Sequence, residues 1–176
     1  MKGVVIGHSW VARLKGFDLL PSEFRYLGFG GATFPTLTQK VERLTPDPAV
    51  GVVFVFAGSN DVDHVGSTAE VNKIFDACKE FDGVVKVAFP NSRVIYAQIE
   101  DRYHFNHCEN PSALREAFKR KSNKFNKWLN KVIAKDHIFV LKGANGFSNP
   151  QLYARDGVHL NFDGNMRLAR KIAAFV

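Results

Sequence analysis

Short apolar runs alternate along this chain with longer segments of helical periodicity. Runs rich in Val, Ile and Phe predict strands at residues 4–6, 24–27, 51–57, 93–99 and 137–141. Apolar residues at three- and four-residue spacing predict helices over 34–43, 68–89, 112–135 and 163–175, the second with a break near Asp82-Gly83. The run Val52 to Ala57 is apolar at every position, which is typical of strands buried on both faces of a parallel sheet.

This alternation predicts an α/β sandwich in which right-handed crossovers place helices on both faces of a parallel sheet. The 176 residues suit one core, and no repeat, low-complexity tract or linker divides them, so we expect a single domain over 1–176. In such sheets the active site lies at the carboxyl ends of the strands.

The composition, 45% apolar and 23% charged residues, is that of a globular protein rather than a disordered one. No apolar run reaches the roughly 20 residues that span a bilayer. The first residues lack the pattern of a signal peptide, and the two cysteines, Cys78 and Cys108, do not form a disulfide framework. We therefore expect an intracellular, cytoplasmic protein.

The positive charge is concentrated in one predicted helix. Residues 112–135 carry eight basic side chains and one acidic one, which accounts for the whole net charge of +7. Three interpretations stay open: a solvated face, a contact with a partner domain, and association with an anionic membrane or nucleic acid. The residues that would bind an anionic surface are Lys119, Arg120, Lys124, Lys127 and Lys131.

Polar and glycine-rich segments follow the predicted strands. Ser9 comes after the first strand, Gly31 lies in the segment after the second, and Asn60 comes after the third. Asp156 and His159 lie three residues apart just before the last helix. Taken alone each has an ordinary explanation; Asn60-Asp61, for example, is typical of a helix N-cap.

Together these residue types match the requirements of acyl transfer. A serine hydroxyl needs an imidazole to take its proton, and a carboxylate usually orients that imidazole. Donors must face the oxygen that becomes negative in the tetrahedral intermediate. Ser9 and Gly31 can supply backbone N–H groups for this purpose, and Asn60 can supply a side-chain amide.

In this order the segments resemble the SGNH (GDSL-like) hydrolases, a family defined by Ser, Gly, Asn and His in separate blocks. Gly-His-Ser at Ser9 matches block one, and Gly-Gly-Ala-Thr at Gly31 matches block two. Gly-Ser-Asn-Asp at Asn60 matches block three, and Asp-x-x-His at Asp156 and His159 matches block five. The matching segments span residues 7 to 159, nearly the whole chain.

The resemblance implies a flavodoxin-like three-layer α/β/α fold with a central parallel sheet of about five strands. It implies an enzyme that hydrolyses carboxylic esters without a cofactor, acting on a small ester or lipid-like substrate. Ser9 would be the nucleophile, His159 the general base and Asp156 the residue that orients it. Ser9, Gly31 and Asn60 would form the oxyanion hole. The short chain leaves little length for a lid, so we expect an open site that favours acetyl-sized acyl groups.

One residue departs from the family pattern. His8 stands where the family usually has Asp, and we interpret it as a neighbour that tunes the turn, not as a second base. The chain also resembles SGNH domains encoded in eukaryotic retrotransposons. The features that carry this second resemblance are Gly-His-Ser, residues 98–103, the basic helix and Asp-Gly-Val-His-Leu-Asn.

Other candidates are weaker. His104, His107 and Cys108 are close enough for a metal site, but no fourth ligand is evident, so we expect no metal.

The pair Asp63-His64 could line the mouth of the site, and Trp10 could pack under the nucleophile or form a wall of the acyl pocket. A different class of function, a non-enzymatic module that binds anions through the basic helix, is the alternative to the esterase.

Overall fold

The computed structural model describes residues 1–17, 19–103, 110–141 and 147–176. Five parallel strands form one sheet in the order β2-β1-β3-β4-β5. The strands are β1 (Lys2–Gly7), β2 (Phe24–Gly28), β3 (Val50–Phe56), β4 (Arg93–Ala97) and β5 (Ile138–Phe139). This is the strand order of flavodoxin-like folds.

Helices connect the strands and follow the last one. They are α1 (Ser9–Phe17), α2 (Phe34–Val41), α3 (Ser59–His64), α4 (Val71–Ala88), α5 (Pro111–Val132) and α6 (Phe162–Ala173). Short 3-10 turns lie at Lys135–His137 and Pro150–Leu152. None of the helices in the described ranges is long and apolar enough to cross a membrane.

Successive residues of the strands face opposite sides of the sheet, which produces two cores. Val4 and Ile6 of β1 pack in a cluster with apolar residues of α2, α4 and α5. Val5, between them, packs in a second cluster with residues of α1 and α6. The sheet is therefore buried on both faces, and the predicted three-layer α/β/α fold with five parallel strands is confirmed.

Some predicted elements differ from the structure. α4 is continuous through Asp82-Gly83, because Gly83 lies on the exposed face, where glycine costs a helix roughly 1 kcal/mol but does not break it. β4 ends at Ala97 and β5 has only two residues, so the predictions 93–99 and 137–141 were too long. The helices α1 and α3 were not predicted.

The basic helix α5 begins at Pro111 and ends at Val132, slightly before the predicted end. Phe118, Phe125 and Leu129 are buried and form its apolar face. Leu114 and Val132 continue the same three- and four-residue spacing but are exposed, because they lie near the two ends of the helix.

The strand order fixes where a site can form. From β1 the chain passes to β2 on one side and then crosses to β3 on the other, so the connections after β1 and β3 diverge. Ligands of open α/β sheets bind in the crevice that such a divergence leaves at the carboxyl ends of the strands. The residues that follow β1 and β3 are those around Ser9 and Asn60.

Candidate active site

Ser9 is the first residue of α1 and directly follows the turn at the end of β1. Both neighbouring strands hold this turn: His8 N–H donates to the Phe56 carbonyl oxygen at 3.0 Å, and Phe29 N–H donates to that of Gly7 at 2.9 Å. Gly28 allows the close approach of α1 to β2, because a Cβ there would overlap the backbone of Ala12. Ser9 is half-buried.

His8 caps the start of α1. Its Nδ1 accepts the Trp10 N–H at 3.3 Å, and its carbonyl oxygen accepts the Val11 N–H at 3.0 Å. Burial, with the positive charges of Arg102 and His159, lowers the pKa of His8 to about 3. The ring is therefore neutral at pH 7 with its proton on Nε2, since Nδ1 is the acceptor.

Asp156 and His159 lie on one loop that an antiparallel bridge between Tyr153 and Leu160 closes. The Asp156 Oδ1 accepts the backbone N–H groups of Val158 and His159, at 3.0 and 2.9 Å. Its Oδ2 lies 2.7 Å from His159 Nδ1. A carboxylate only accepts, so Nδ1 carries a proton, and in the neutral form of the ring Nε2 has a lone pair.

The loop keeps Asp156 ionised. Desolvation raises the pKa of this carboxyl, but the two N–H donors and the His159 ring outweigh that effect and lower it to about 2. Arg13 of α1 adds a longer ion pair, with Nη2 at 3.9 Å from Oδ2. The result is an anion fixed against one nitrogen of an imidazole.

A hydrogen bond also joins the two ends of the chain at this edge of the sheet. The Trp10 indole N–H, next to Ser9, donates to the carbonyl oxygen of Val158, next to His159, at 2.9 Å. The two residues are 148 positions apart in the sequence. Trp10 is 6% exposed and packs edge-on against Tyr153.

The segments after β2 and β3 meet beside this turn. Gly31 has a φ of 69°, in the left-handed region that favours glycine, and a Cβ there would point into open space. Asn60 Nδ2 donates to the Ala32 carbonyl oxygen at 2.9 Å, which ties α3 to the glycine segment. Within the described part of the chain, no acceptor binds the backbone N–H of Ser9 or of Gly31.

Two residues that the sequence analysis did not assign hold these segments. Asp61 is 7% exposed, and its carboxylate accepts the N–H of Phe34, at 3.0 Å from Oδ1, where α2 begins. Desolvation raises the pKa of Asp61 to about 6, although the hydrogen bond from Phe34 opposes this. Arg102 donates from Nη2 to Asn60 Oδ1 at 3.0 Å and from Nη1 to Asp63 Oδ2 at 2.6 Å.

A pocket of about 470 Å³, partly open to solvent, lies over these strand ends. Its polar lining includes Ser9, Asn60 and Arg102. Its apolar lining consists of Trp10, Phe56, Ala57, Ala97, Ile99, Leu141 and Val158. Trp10 is thus both packed under the turn and part of a pocket wall.

The remaining candidates lie elsewhere. Asp63 binds Arg102 from the exposed side of α3, and His64 is exposed. Gly58, not Asn60, is the N-cap of α3, so the N-cap interpretation of Asn60 was wrong. Among the described residues no group of three His, Cys, Asp or Glu side chains could hold a metal ion. The metal candidates His104, His107 and Cys108 lie outside the described residues.

The basic residues of α5 form two groups. Lys119, Arg120, Lys127 and Lys131 are exposed on its outer face, and Arg115 extends that face toward the start of the helix. Lys121 and Lys124 are half-buried and donate to the carbonyl oxygens of Val65 and Thr68, at 2.7 and 2.9 Å. Lys124 is therefore less accessible than its position on the predicted anionic-binding surface suggested.

Comparisons with known proteins agree with this architecture. The sequence matches the GDSL-like lipase/acylhydrolase family over residues 6–167, whereas no curated protein matches it. A GDSL-like lipase from Bacteroides thetaiotaomicron has a similar structure, with a TM-score of 0.71 and 17% identity over 98% of this chain and 86% of that one.

Two esterases are also similar. A carbohydrate esterase of family 3 from Talaromyces cellulolyticus has a TM-score of 0.64 and 15% identity, over 99% of this chain and 95% of that one. A mutant acetyl esterase with an acetate ion has a TM-score of 0.63 and 15% identity over the same shares. Identities this low show a common fold alone.

Asp61→Asn should remove a pH dependence of stability. The folded pKa of about 6 lies above the ordinary 3.8, so this carboxyl favours folding most below pH 4 and loses that advantage as the pH rises through 6. The variant should therefore gain stability relative to wild type between pH 4 and 6, by roughly 2 to 3 kcal/mol.

Urea unfolding at several pH values measures this difference. Asp76→Asn, at an exposed position on α4, is the matched control for the loss of one carboxylate. A stability difference between Asp61→Asn and wild type that stays constant from pH 4 to 7 contradicts the assignment.

Proposed function

We propose that this chain, which belongs to the GDSL-like lipase/acylhydrolase family, is a serine esterase that hydrolyses carboxylic esters of short acyl groups. The observation that carries the proposal is the hydrogen bond from Trp10 to Val158, which joins the turn of Ser9 to the loop of His159. Membership in the family supports hydrolysis in general. The substrate and the roles of individual residues are our proposal.

In the proposed mechanism His159 Nε2 takes the proton of the Ser9 hydroxyl as Oγ attacks the ester carbonyl carbon. The tetrahedral intermediate collapses, the alkoxide leaves with the proton from His159, and Ser9 is left acylated. Water then attacks the acyl-enzyme with the same base, which releases the acid and restores Ser9. Asp156 fixes the ring and stabilises its cation, which the hydrogen bond of 2.7 Å supports.

The negative oxygen of the intermediate would accept three hydrogen bonds. The donors are the backbone N–H of Ser9, the backbone N–H of Gly31 and the second hydrogen of Asn60 Nδ2, whose first hydrogen is used by Ala32. Donors fixed before the reaction stabilise the transition state without reorganisation, and one such donor is worth about 100- to 1000-fold in kcat.

The lining of the pocket supports a small apolar acyl group. Ser9 lines it together with Phe56 and Ala97, the last residues of β3 and β4. The apolar wall, with Trp10 and Leu141, suits a methyl group better than a charged one.

Replacement of the triad residues should abolish esterase activity. By analogy with other serine hydrolases, Ser9→Ala and His159→Ala should each lower kcat about a millionfold, and Asp156→Asn about ten-thousandfold. The measurements are hydrolysis of p-nitrophenyl acetate and labelling by a fluorophosphonate. Ser112→Ala, at an exposed position on α5, is the control, and equal rates for wild type and Ser9→Ala exclude the proposal.

Activity should fall sharply as the acyl chain grows. We expect kcat/KM for p-nitrophenyl esters to drop at least tenfold between acetate and octanoate, since a longer chain should extend past the apolar lining beside Ser9. Leu141→Ala removes part of the pocket wall and should move the preference toward butyrate or longer esters. Ile172→Ala, in the same core cluster but away from the pocket, is the control, and efficient octanoate hydrolysis by wild type contradicts the short-acyl assignment.

We also propose that the outer face of α5 associates with anionic membranes. Arg115, Lys119, Arg120, Lys127 and Lys131 are exposed along this helix, where they can meet anionic lipid headgroups.

Trp128, by contrast, stacks on Phe75 with ring centroids 4.6 Å apart, so it is not available to stack on nucleic-acid bases. A retrotransposon origin is compatible with a polyanion-binding surface and stays a prediction from the sequence motifs.

Charge reversal should measure this association. Lys119, Lys127 and Lys131 together changed to Glu should weaken binding to phosphatidylserine vesicles at least about 100-fold, at about 1 kcal/mol for each lost basic residue. The same reversal at the exposed Lys2, Lys15 and Lys40 is the control with equal net charge. Cosedimentation with phosphatidylserine and with phosphatidylcholine vesicles gives the result, and tighter binding to single-stranded RNA than to vesicles overturns the choice of membrane.

A further inference from the structure

Arg102 is held in the site by several contacts of its guanidinium group. Besides its bonds to Asn60 and Asp63, its Nη2 donates to Ser59 Oγ at 3.2 Å. Its guanidinium lies over the ring of Phe118 at 5.0 Å from the centroid. Only 11% of the side chain is exposed. An arginine held by an anion, two polar oxygens and an aromatic ring has one preferred position.

This contact determines which way the Asn60 amide faces. The oxygen Oδ1 receives the Arg102 Nη2–H, and the nitrogen Nδ2 donates to the Ala32 carbonyl oxygen. Rotation of the amide by half a turn would set Nδ2 against a donor and Oδ1 against an acceptor, which loses both bonds. One hydrogen of Nδ2 then remains for another acceptor.

We propose that Arg102 is a positioning residue for catalysis: it fixes the amide of Asn60 so that the second Nδ2 hydrogen faces the carbonyl oxygen of a bound ester. This inference rests on the proposed function, in which Asn60 is an oxyanion-hole donor. It adds a residue from the segment after β4 to the proposed catalytic groups, which otherwise come from the segments after β1, β2 and β3 and the loop before α6.

The charge of Arg102 also strengthens the donor. A hydrogen bond from a cation polarises the amide that accepts it, so the Nδ2–H becomes a better donor. Asp63 in turn holds Nη1 at 2.6 Å, and the chain of contacts therefore runs from Asp63 through Arg102 to Asn60. A lysine at this position could donate to one of these oxygens but not present a planar fork to both.

A double-mutant cycle tests the inference. Asn60→Ala, Arg102→Met and the double variant are compared with wild type for hydrolysis of p-nitrophenyl acetate. Asn60→Ala should lower kcat about 100- to 1000-fold, and Arg102→Met about 10- to 100-fold, because Ala32 still holds the amide. KM should change little in both, since the contact acts in the transition state.

The double variant decides between positioning and an independent effect. If Arg102 acts through Asn60, the double variant has nearly the kcat of Asn60→Ala alone. Losses that multiply overturn the proposal, because Arg102 would then act directly on the substrate or on the fold. Arg25→Met is the matched control: Arg25 also donates to an aspartate, Asp47 at 3.0 Å, and lies over a ring, that of Phe89 at 6.0 Å, but it belongs to β2 and not to the segment that contacts Asn60.

If Arg102→Met does not fold, two conservative variants replace it in the test. Arg102→Lys and Asp63→Asn should each give a partial loss of kcat with unchanged KM, and again little further loss in the Asn60→Ala background. Full activity of both conservative variants overturns the proposal.

The same assays distinguish a failure of the proposed esterase function from a failure of the role proposed for Arg102. In that case Ser9→Ala retains activity, or Asn60→Ala is as active as wild type, and Arg102 has no catalytic contact through which to act.

Discussion

The candidate site depends on the hydrogen-bonded pairing of β1 with a parallel strand on each side. Gly7, the last residue of β1, is in register with Gly28 of β2 and with Phe56 of β3. Parallel strands end at the same edge, so this register delivers three separate segments of the sequence to one place. Val4, Val5 and Ile6 are fully buried, and a slip of one residue would exchange the faces of the strand. The position of Ser9 is therefore a consequence of how the core is packed.

Hydrogen bonds from buried polar side chains then determine the shape of the loops. Asn126 of α5 both accepts from the N–H and donates to the carbonyl oxygen of Ile99, each at 2.9 Å, and so holds the segment that carries Arg102. Asp61 holds the start of α2 by accepting the N–H of Phe34. The backbone N–H and carbonyl groups of these loops have no neighbouring strand to pair with. The side chains of Asn126 and Asp61 supply hydrogen-bond partners for them.

The sequence predicted what depends on local pattern and missed what depends on distant pairing. A continuous apolar run predicts the buried strand β3. The polar and glycine-rich segments that follow the strands identify the candidate residues Ser9, Gly31, Asn60, Asp156 and His159.

The helix α1 was missed because its nine residues hold only one short apolar stripe, and β5 was overestimated because apolar residues continue past its pairing with β4. Arg102 and Asn60 are 42 positions apart, and no periodicity connects them.

His8 shows what the turn before the nucleophile requires. The Nδ1 of a neutral imidazole accepts the Trp10 N–H at the position where the family usually has an aspartate, another side chain that accepts hydrogen bonds at the start of a helix. The side chain at this position therefore needs a lone pair directed at the Trp10 N–H, and it does not need a negative charge. Because the His8 ring supplies that lone pair, the aspartate of a Gly-Asp-Ser segment is replaced here without loss of the contact to Trp10.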